Sequence, residues 1–185
     1  VGSEMCIRDS PFGDGAGCPL LDEGTHTITV GDQDRTVTVL LPEDPEGAPV
    51  VFAWHWLGGT ADQILSWMAM ESLTEEGAIV VAPQSTGLST EWDYLSAPEA
   101  SIDVALFDDL TTCLWESHRV DADRIYSTGM SAGGLMTSYL TLHRADVLAA
   151  SVPFSGGMTA EFYTTPASPI PVMVVWGGTS DSYAG

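Results

Sequence analysis

The chain has 185 residues, enough for one domain with a substantial core. Five Arg, no Lys and 26 acids give a formal charge of −21, which excludes nucleic acid and anionic membrane as partners because both would be repelled. The acids are dispersed, which reads as a solvated acidic surface rather than a binding tail, and no apolar run approaches transmembrane length.

Residues 1–10 resemble a translated transposase-type sequencing adaptor. They lack the apolar h-region and cleavage-site pattern of a signal peptide and are set apart from the fold. Residues 11–24 are Gly- and Asp-rich and read as an extended leader. Residues 25–30 and 35–41 alternate polar and apolar side chains around Gly31-Asp32-Gln33-Asp34, a hairpin signal. Residues 49–54 form a continuous apolar run, as a strand covered on both faces requires. The pattern of residues 61–73 predicts a helix that starts near Thr60. Residues 78–83 read as a second buried strand, and residues 84–98 as a loop containing Trp92 and Tyr94.

A long amphipathic helix is predicted over 99–118, with Ile102, Leu106, Leu110 and Leu114 on one face. A strand over 124–128 then leads through a Gly-rich turn into a helix over 135–143. Residues 148–153 and 171–176 read as two more buried strands. Strands alternating with helices imply one α/β domain, residues 25–185, with a mainly parallel sheet flanked by helices. With Cys6 set aside, Cys18 and Cys113 remain. They are either a disulfide tying the N-terminal segment to a helix in an exported protein, or two unrelated buried thiols.

Three motifs carry chemistry. In Gly129-Met130-Ser131-Ala132-Gly133-Gly134 a serine stands between a strand and a helix, the strand–turn–helix context that exposes a nucleophilic hydroxyl. Gly129 and Gly133 let the chain turn tightly there, and the N–H of Ala132 falls at a helix N-terminus, where it can stabilise an oxyanion. The second motif, His55-Trp56-Leu57-Gly58-Gly59-Thr60, follows the first apolar strand. The third is Trp176-Gly177-Gly178-Thr179-Ser180-Asp181, after the last one.

On these motifs the chain resembles an α/β-hydrolase of the secreted esterase group that includes polyhydroxybutyrate depolymerase-like and feruloyl esterase-like enzymes. The resemblance implies Ser131 as nucleophile and Asp181 as the triad acid, in the order Ser then Asp. It makes the His55 loop an H-G-x-x-G oxyanion loop, with Leu57 or Trp56 as second donor beside Ala132, and His55, Gly58 and Gly59 as loop support. Trp56 departs from the family pattern, which has glycine there. The triad histidine is expected several tens of residues after Asp181, whereas the sequence ends four residues beyond it. His26, His118 and His143 are poor substitutes. The expectation is therefore a fragment truncated at its C-terminus, with the last strand and helix missing and ester hydrolysis impaired.

The resemblance implies a serine ester hydrolase acting through an acyl-enzyme on small or polymeric esters of hydroxyalkanoate or plant-phenolic type, in a secreted or periplasmic protein. A serine peptidase, a thioesterase and a non-catalytic binding protein on the same fold are the alternatives. No H-E-x-x-H or C-x-x-C pattern suggests a metal, and no P-loop or dinucleotide fingerprint suggests a cofactor. Trp54, Trp56, Trp67 and Trp92 are expected to divide between the core and an aromatic cleft, with at least half in the core.

Overall fold

A two-residue turn starts the sheet. In the computed structural model, which describes residues 10–13, 15 and 17–181, β1 (Gly24–Val30) pairs antiparallel with β2 (Gln33–Leu40), with Val30 opposite Gln33. Only Gly31 and Asp32 are left to turn the chain, and Gly31 sits at φ 60°, which glycine adopts without Cβ strain. The remaining strands are β3 (Val50–Trp54), β4 (Ile79–Pro83), β5 (Ile125–Met130) and β6 (Leu148–Phe154). The sheet order is β1-β2-β4-β3-β5-β6, with β4, β3, β5 and β6 parallel and the hairpin joined antiparallel through β2 to β4.

Side-chain alternation in the central strands builds two cores. Val50, Phe52 and Trp54 of β3 and Ile79 and Val81 of β4 enter the larger one. They meet Leu106, Leu110 and Leu114 of α3 (Ile102–His118) and Met136 and Leu140 of α4 (Ala132–His143). Ala53, Val80 and Ala82 point the other way, onto Ala61, Ile64 and Leu65 of α1 (Ala61–Trp67). Period-2 alternation with both sides apolar is what a sheet covered by helices on both faces needs. The larger core also borders a buried ion pair, Arg35 to Asp103 at 2.6 Å. Burial pushes the Asp103 carboxyl up from the usual range, opposed by the Arg35 charge.

The leader is pinned to α3. Leu21 is fully buried, its N–H donates to Ser117 Oγ at 3.1 Å, and its carbonyl pairs with the His118 ring at 2.8 Å. Cys18 and Cys113 form a disulfide, the first of the two alternatives. The adaptor-like stretch lies outside the described residues except for Ser10.

Three elements differ from expectation. The helix over 61–73 is two helices, α1 and α2 (Glu71–Glu75), broken at Ala69, which has φ 50°. α3 begins at Ile102 rather than 99, because the Ser101 hydroxyl caps it by accepting from Val104 N–H at 3.3 Å. Residues 171–176 are no buried strand. They make ladder bonds to β6 on one side, such as Val175 N–H to Pro153 O at 3.1 Å, while Met173 and Trp176 are 58% and 65% exposed. Nothing among the described residues pairs with their other edge or covers their faces, so apolar composition alone does not bury them.

Candidate active site

Ser131 is the N-cap of α4 and sits at φ 54° and ψ −114°, a conformation that costs a non-glycine residue of order 1–3 kcal/mol and persists only where surrounding structure enforces it. The enforcement is visible. Ser131 N–H donates to Phe154 O of β6 at 2.9 Å, and the flanking glycines allow backbone to lie against backbone. A Cβ on Gly133 would stand 1.9 Å from Trp54 O, and one on Gly129 would stand 2.4 Å from Gly133 O. Gly134 is held as closely, 2.6 Å from Phe154 O by the same measure. The double glycine thus lets α4 start directly beneath the ends of β3 and β6.

The His55 loop is fixed from inside. The His55 ring is fully buried, with Nδ1 2.9 Å from Trp56 O and Nε2 accepting from Ser85 N–H at 3.2 Å. Those partners assign the neutral tautomer protonated on Nδ1. Burial pushes the imidazole below its ordinary value, opposed chiefly by the bond to Trp56. Trp92 Nε1 donates to His55 O at 2.8 Å. Within the loop, Gly59 N–H donates to Trp56 O at 2.8 Å and Gly58, at φ 72°, donates its N–H to Glu91 Oε2 at 2.9 Å. Among the described residues the Leu57 N–H has no such partner.

A cleft of about 720 Å³ gathers the three motifs. Ser131 and Ala132 line it from β5 and α4, Leu57 from the loop after β3, and Ser155 from the loop after β6, with Asp181 at its edge. This is the crevice beyond the carboxyl ends of parallel strands, where open α/β sheets bind ligands. Trp56 does not line it. Asp181 is exposed and its Oδ2 accepts from Gly177 N–H at 2.8 Å. Hydrogen bonds from Ser155 and then Gly177 hold its carboxyl below the usual range.

None of the four histidines lines the cleft. His26 and His118 bond to carbonyls of the leader, at 2.7 and 2.8 Å, and His143 packs on Tyr139 with ring centroids 4.3 Å apart. Two of the four tryptophans weighed for the cleft, Trp54 and Trp92, are fully buried. Trp56 packs at a tilt against Trp67, which is 73% exposed. Sequence reasoning missed Glu91 and Ser155. Glu91 is buried, at φ 70°, and bonds a residue 33 positions away, a link with no local sequence signal.

Comparison with known proteins places this architecture. The model of the prolyl oligopeptidase family matches residues 64–178, from within α1 through the strand-like segment before Asp181. The chain belongs to the prolyl oligopeptidase family. Within the α/β-hydrolases, this family member is similar to feruloyl esterases. It is 31% identical over 149 residues to a probable feruloyl esterase C of Aspergillus niger, covering 76% of this chain and 52% of the relative. It is 32% identical over 149 residues to feruloyl esterase C of Emericella nidulans, with the same 76% and 52% coverage. The chain therefore spans about half the length of these curated relatives. Solved structures agree in fold. Native sOPH matches with a TM-score of 0.74 at 21% identity, over 88% of this chain and 69% of that one. An acetyl xylan esterase from Aspergillus awamori matches with 0.61 at 21% identity, over 76% and 55%.

Proposed function

We propose that the chain carries the nucleophile and oxyanion half of a serine carboxylic-ester hydrolase. One observation carries the reading: a serine held at a strained strand–helix turn shares a cleft with Leu57, Ala132 and Asp181. Ser131 Oγ attacks the ester carbonyl carbon and gives up its proton to a base, and the carbonyl oxygen becomes an oxyanion between the N–H groups of Ala132 and Leu57. Collapse expels the alcohol, which takes up the proton and leaves an acyl-serine. Water then adds to the acyl carbon, yields its proton through the base to Ser131 Oγ, and frees the acid. Asp181 is the residue that would orient an imidazole base.

That base is a histidine outside this sequence. Two observations support the assignment: none of the four histidines lines the cleft, and the relatives are about twice as long. The chain alone is accordingly a slow enzyme, with a residual rate from the oxyanion site. The relatives' names favour feruloyl-type esters, and a cleft lined by Leu57, Tyr94, Met130, Leu135, Met158 and Trp176, with Asp181 its only charged residue among those described, suits an uncharged apolar or aromatic acyl group. The Cys18–Cys113 disulfide supports an exported protein, since such bonds persist in oxidising compartments.

The family's name supports a second reading, peptidase. An amine leaves only when protonated, whereas a phenolate leaves unaided, so a cleft without its acid–base group favours activated esters. The test is p-nitrophenyl acetate against the matching p-nitroanilide. Acetylation of Ser131 is expected with the ester, no turnover with the anilide, and loss of both burst and label in Ser131→Ala. Hydrolysis that survives Ser131→Ala would sink the assignment.

A further inference from the structure

Glu91 makes contacts that a loop residue has no generic reason to make. It is 5% exposed, its backbone is at φ 70°, and neither carboxyl oxygen is spent on a cation within bonding distance. Oε2 accepts the Gly58 N–H at 2.9 Å. Oε1 accepts from the Ser85 hydroxyl and stands 3.7 Å from His55 Nδ1, too far for a hydrogen bond. The hydroxyl of Ser85 in turn accepts from Gly87 N–H at 3.1 Å, and Ser85 N–H donates to His55 Nε2 at 3.2 Å. One buried acid thus ties the His55 loop to the loop after β4.

We propose that Glu91 is a positioning residue that presents the Leu57 N–H to the cleft by holding the next amide of the loop. The proposal rests on Leu57 and Ala132 being the oxyanion donors. Gly58 N–H is committed to Glu91 and Gly59 N–H to Trp56 O, so the two amides that follow Leu57 are fixed, while Leu57 lines the cleft and its own N–H has no partner among the described residues. Without the carboxyl, Gly58 N–H would be free to compete as a donor or to swing, and Leu57 would lose its fixed orientation. A φ of 70° is strained for Glu and ordinary for Gly. A glycine at 91 would therefore serve the turn better if the turn were all that mattered. The carboxyl is the reason for a non-glycine residue there.

The experiment measures acetylation of Ser131 by p-nitrophenyl acetate, followed by nitrophenolate release and intact mass, in the 185-residue chain and in Glu91→Gln, Glu91→Ala and Glu91→Gly. Removing one oxyanion donor outright costs about 10²–10³ in rate. Misplacing it in Glu91→Ala and Glu91→Gly is expected to slow acetylation about 10-fold or more, with the half-saturating ester concentration changed about 2-fold or less. Glu91→Gln, whose amide oxygen can still accept from Gly58, is expected to stay within about 3-fold. Hydrogen exchange of the Gly58 amide supplies a readout independent of activity: protected in the native chain and in Glu91→Gln, open in the other two.

Native-like acetylation in Glu91→Gly, or an unprotected Gly58 amide in the native chain, would overturn the proposal. The second measurement needs no variant to fold. If Ser131→Ala releases nitrophenolate as fast as the native chain, the esterase reading falls instead, and exchange at Gly58 still reports on the tether.

Discussion

Gly133 is the residue with the least freedom at the site. Its missing side chain is where Trp54 O lies, and both partners are backbone of central elements, so no rotamer change can make room. Gly133→Ala is therefore expected to lower stability by about 2 kcal/mol or more, through overpacking against a strand that cannot shift. Gly157→Ala is the control, because a Cβ there meets nothing and its φ lies outside the left-handed region; it should stay within about 0.5 kcal/mol. Urea unfolding midpoints of the two variants make the comparison, and equal midpoints would contradict it. Residues of this kind were legible in the sequence, because Gly129, Ser131 and Gly133 obey a local rule of strand, tight turn and helix. The place of Asp181 at the Ser131 cleft was legible for the same reason, as a fixed offset after an apolar run, while its part as triad acid belongs to the proposal. Glu91 was not, since its meaning lies in a backbone amide that only the folded chain brings near.

The break between α1 and α2 shows the same division at the scale of elements. Ala69 N–H bonds Ser66 O at 3.2 Å and Met70 N–H bonds Leu65 O at 2.9 Å, the paired bonds of a Schellman cap with Ala69 in the left-handed position. Leu65 and Met70, the hydrophobic pair of that cap, both enter the smaller core. α2 ends in the same cap, with Gly77 N–H to Thr74 O at 3.1 Å, Ala78 N–H to Leu73 O at 2.9 Å, and Gly77 at φ 88°. Glycine at 77 announces a helix end to a reader of sequence. Alanine at 69, the best helix former, announces continuation. Burial of Met70 overrides that propensity and leaves Ala69 strained. Ala69→Gly should consequently stabilise the chain by about 0.5–1 kcal/mol, since the left-handed region penalises Cβ by more than glycine's extra backbone entropy. A denaturation midpoint that falls instead would mean that the helix end is not held in this conformation. Residues 171–176 failed for another reason: apolar composition records a capacity to be covered, and burial depends on what lies opposite.

Across the whole molecule, the disulfide joins positions 95 residues apart, clamping the leader and β1's approach to the middle of α3. Among the described residues the leader is otherwise held by Leu21, the Phe12–Trp115 edge contact at 6.1 Å, two hydrogen bonds from the end of α3, the His26 ring on Asp22 O and the Leu41 N–H on the Glu23 carboxylate. A crosslink over a loop of this length restricts the unfolded chain strongly, and removing a native one costs about 2–5 kcal/mol. The unfolded chain also carries the formal charge of −21, whose self-repulsion favours expansion, so an intact crosslink opposes a real tendency. Cys18→Ser combined with Cys113→Ser, or reduction of the native chain, is expected to lower the thermal midpoint by about 5–15 °C, at 2–4 °C per kcal/mol for a chain of this size. Neither cysteine lines the Ser131 cleft, so below the new midpoint acetylation of Ser131 should keep its native rate. The two readouts separate a staple from a switch. An unchanged midpoint would show that the leader is held without the bond, and a fall in acetylation at temperatures where the fold persists would show that the clamp reaches the cleft.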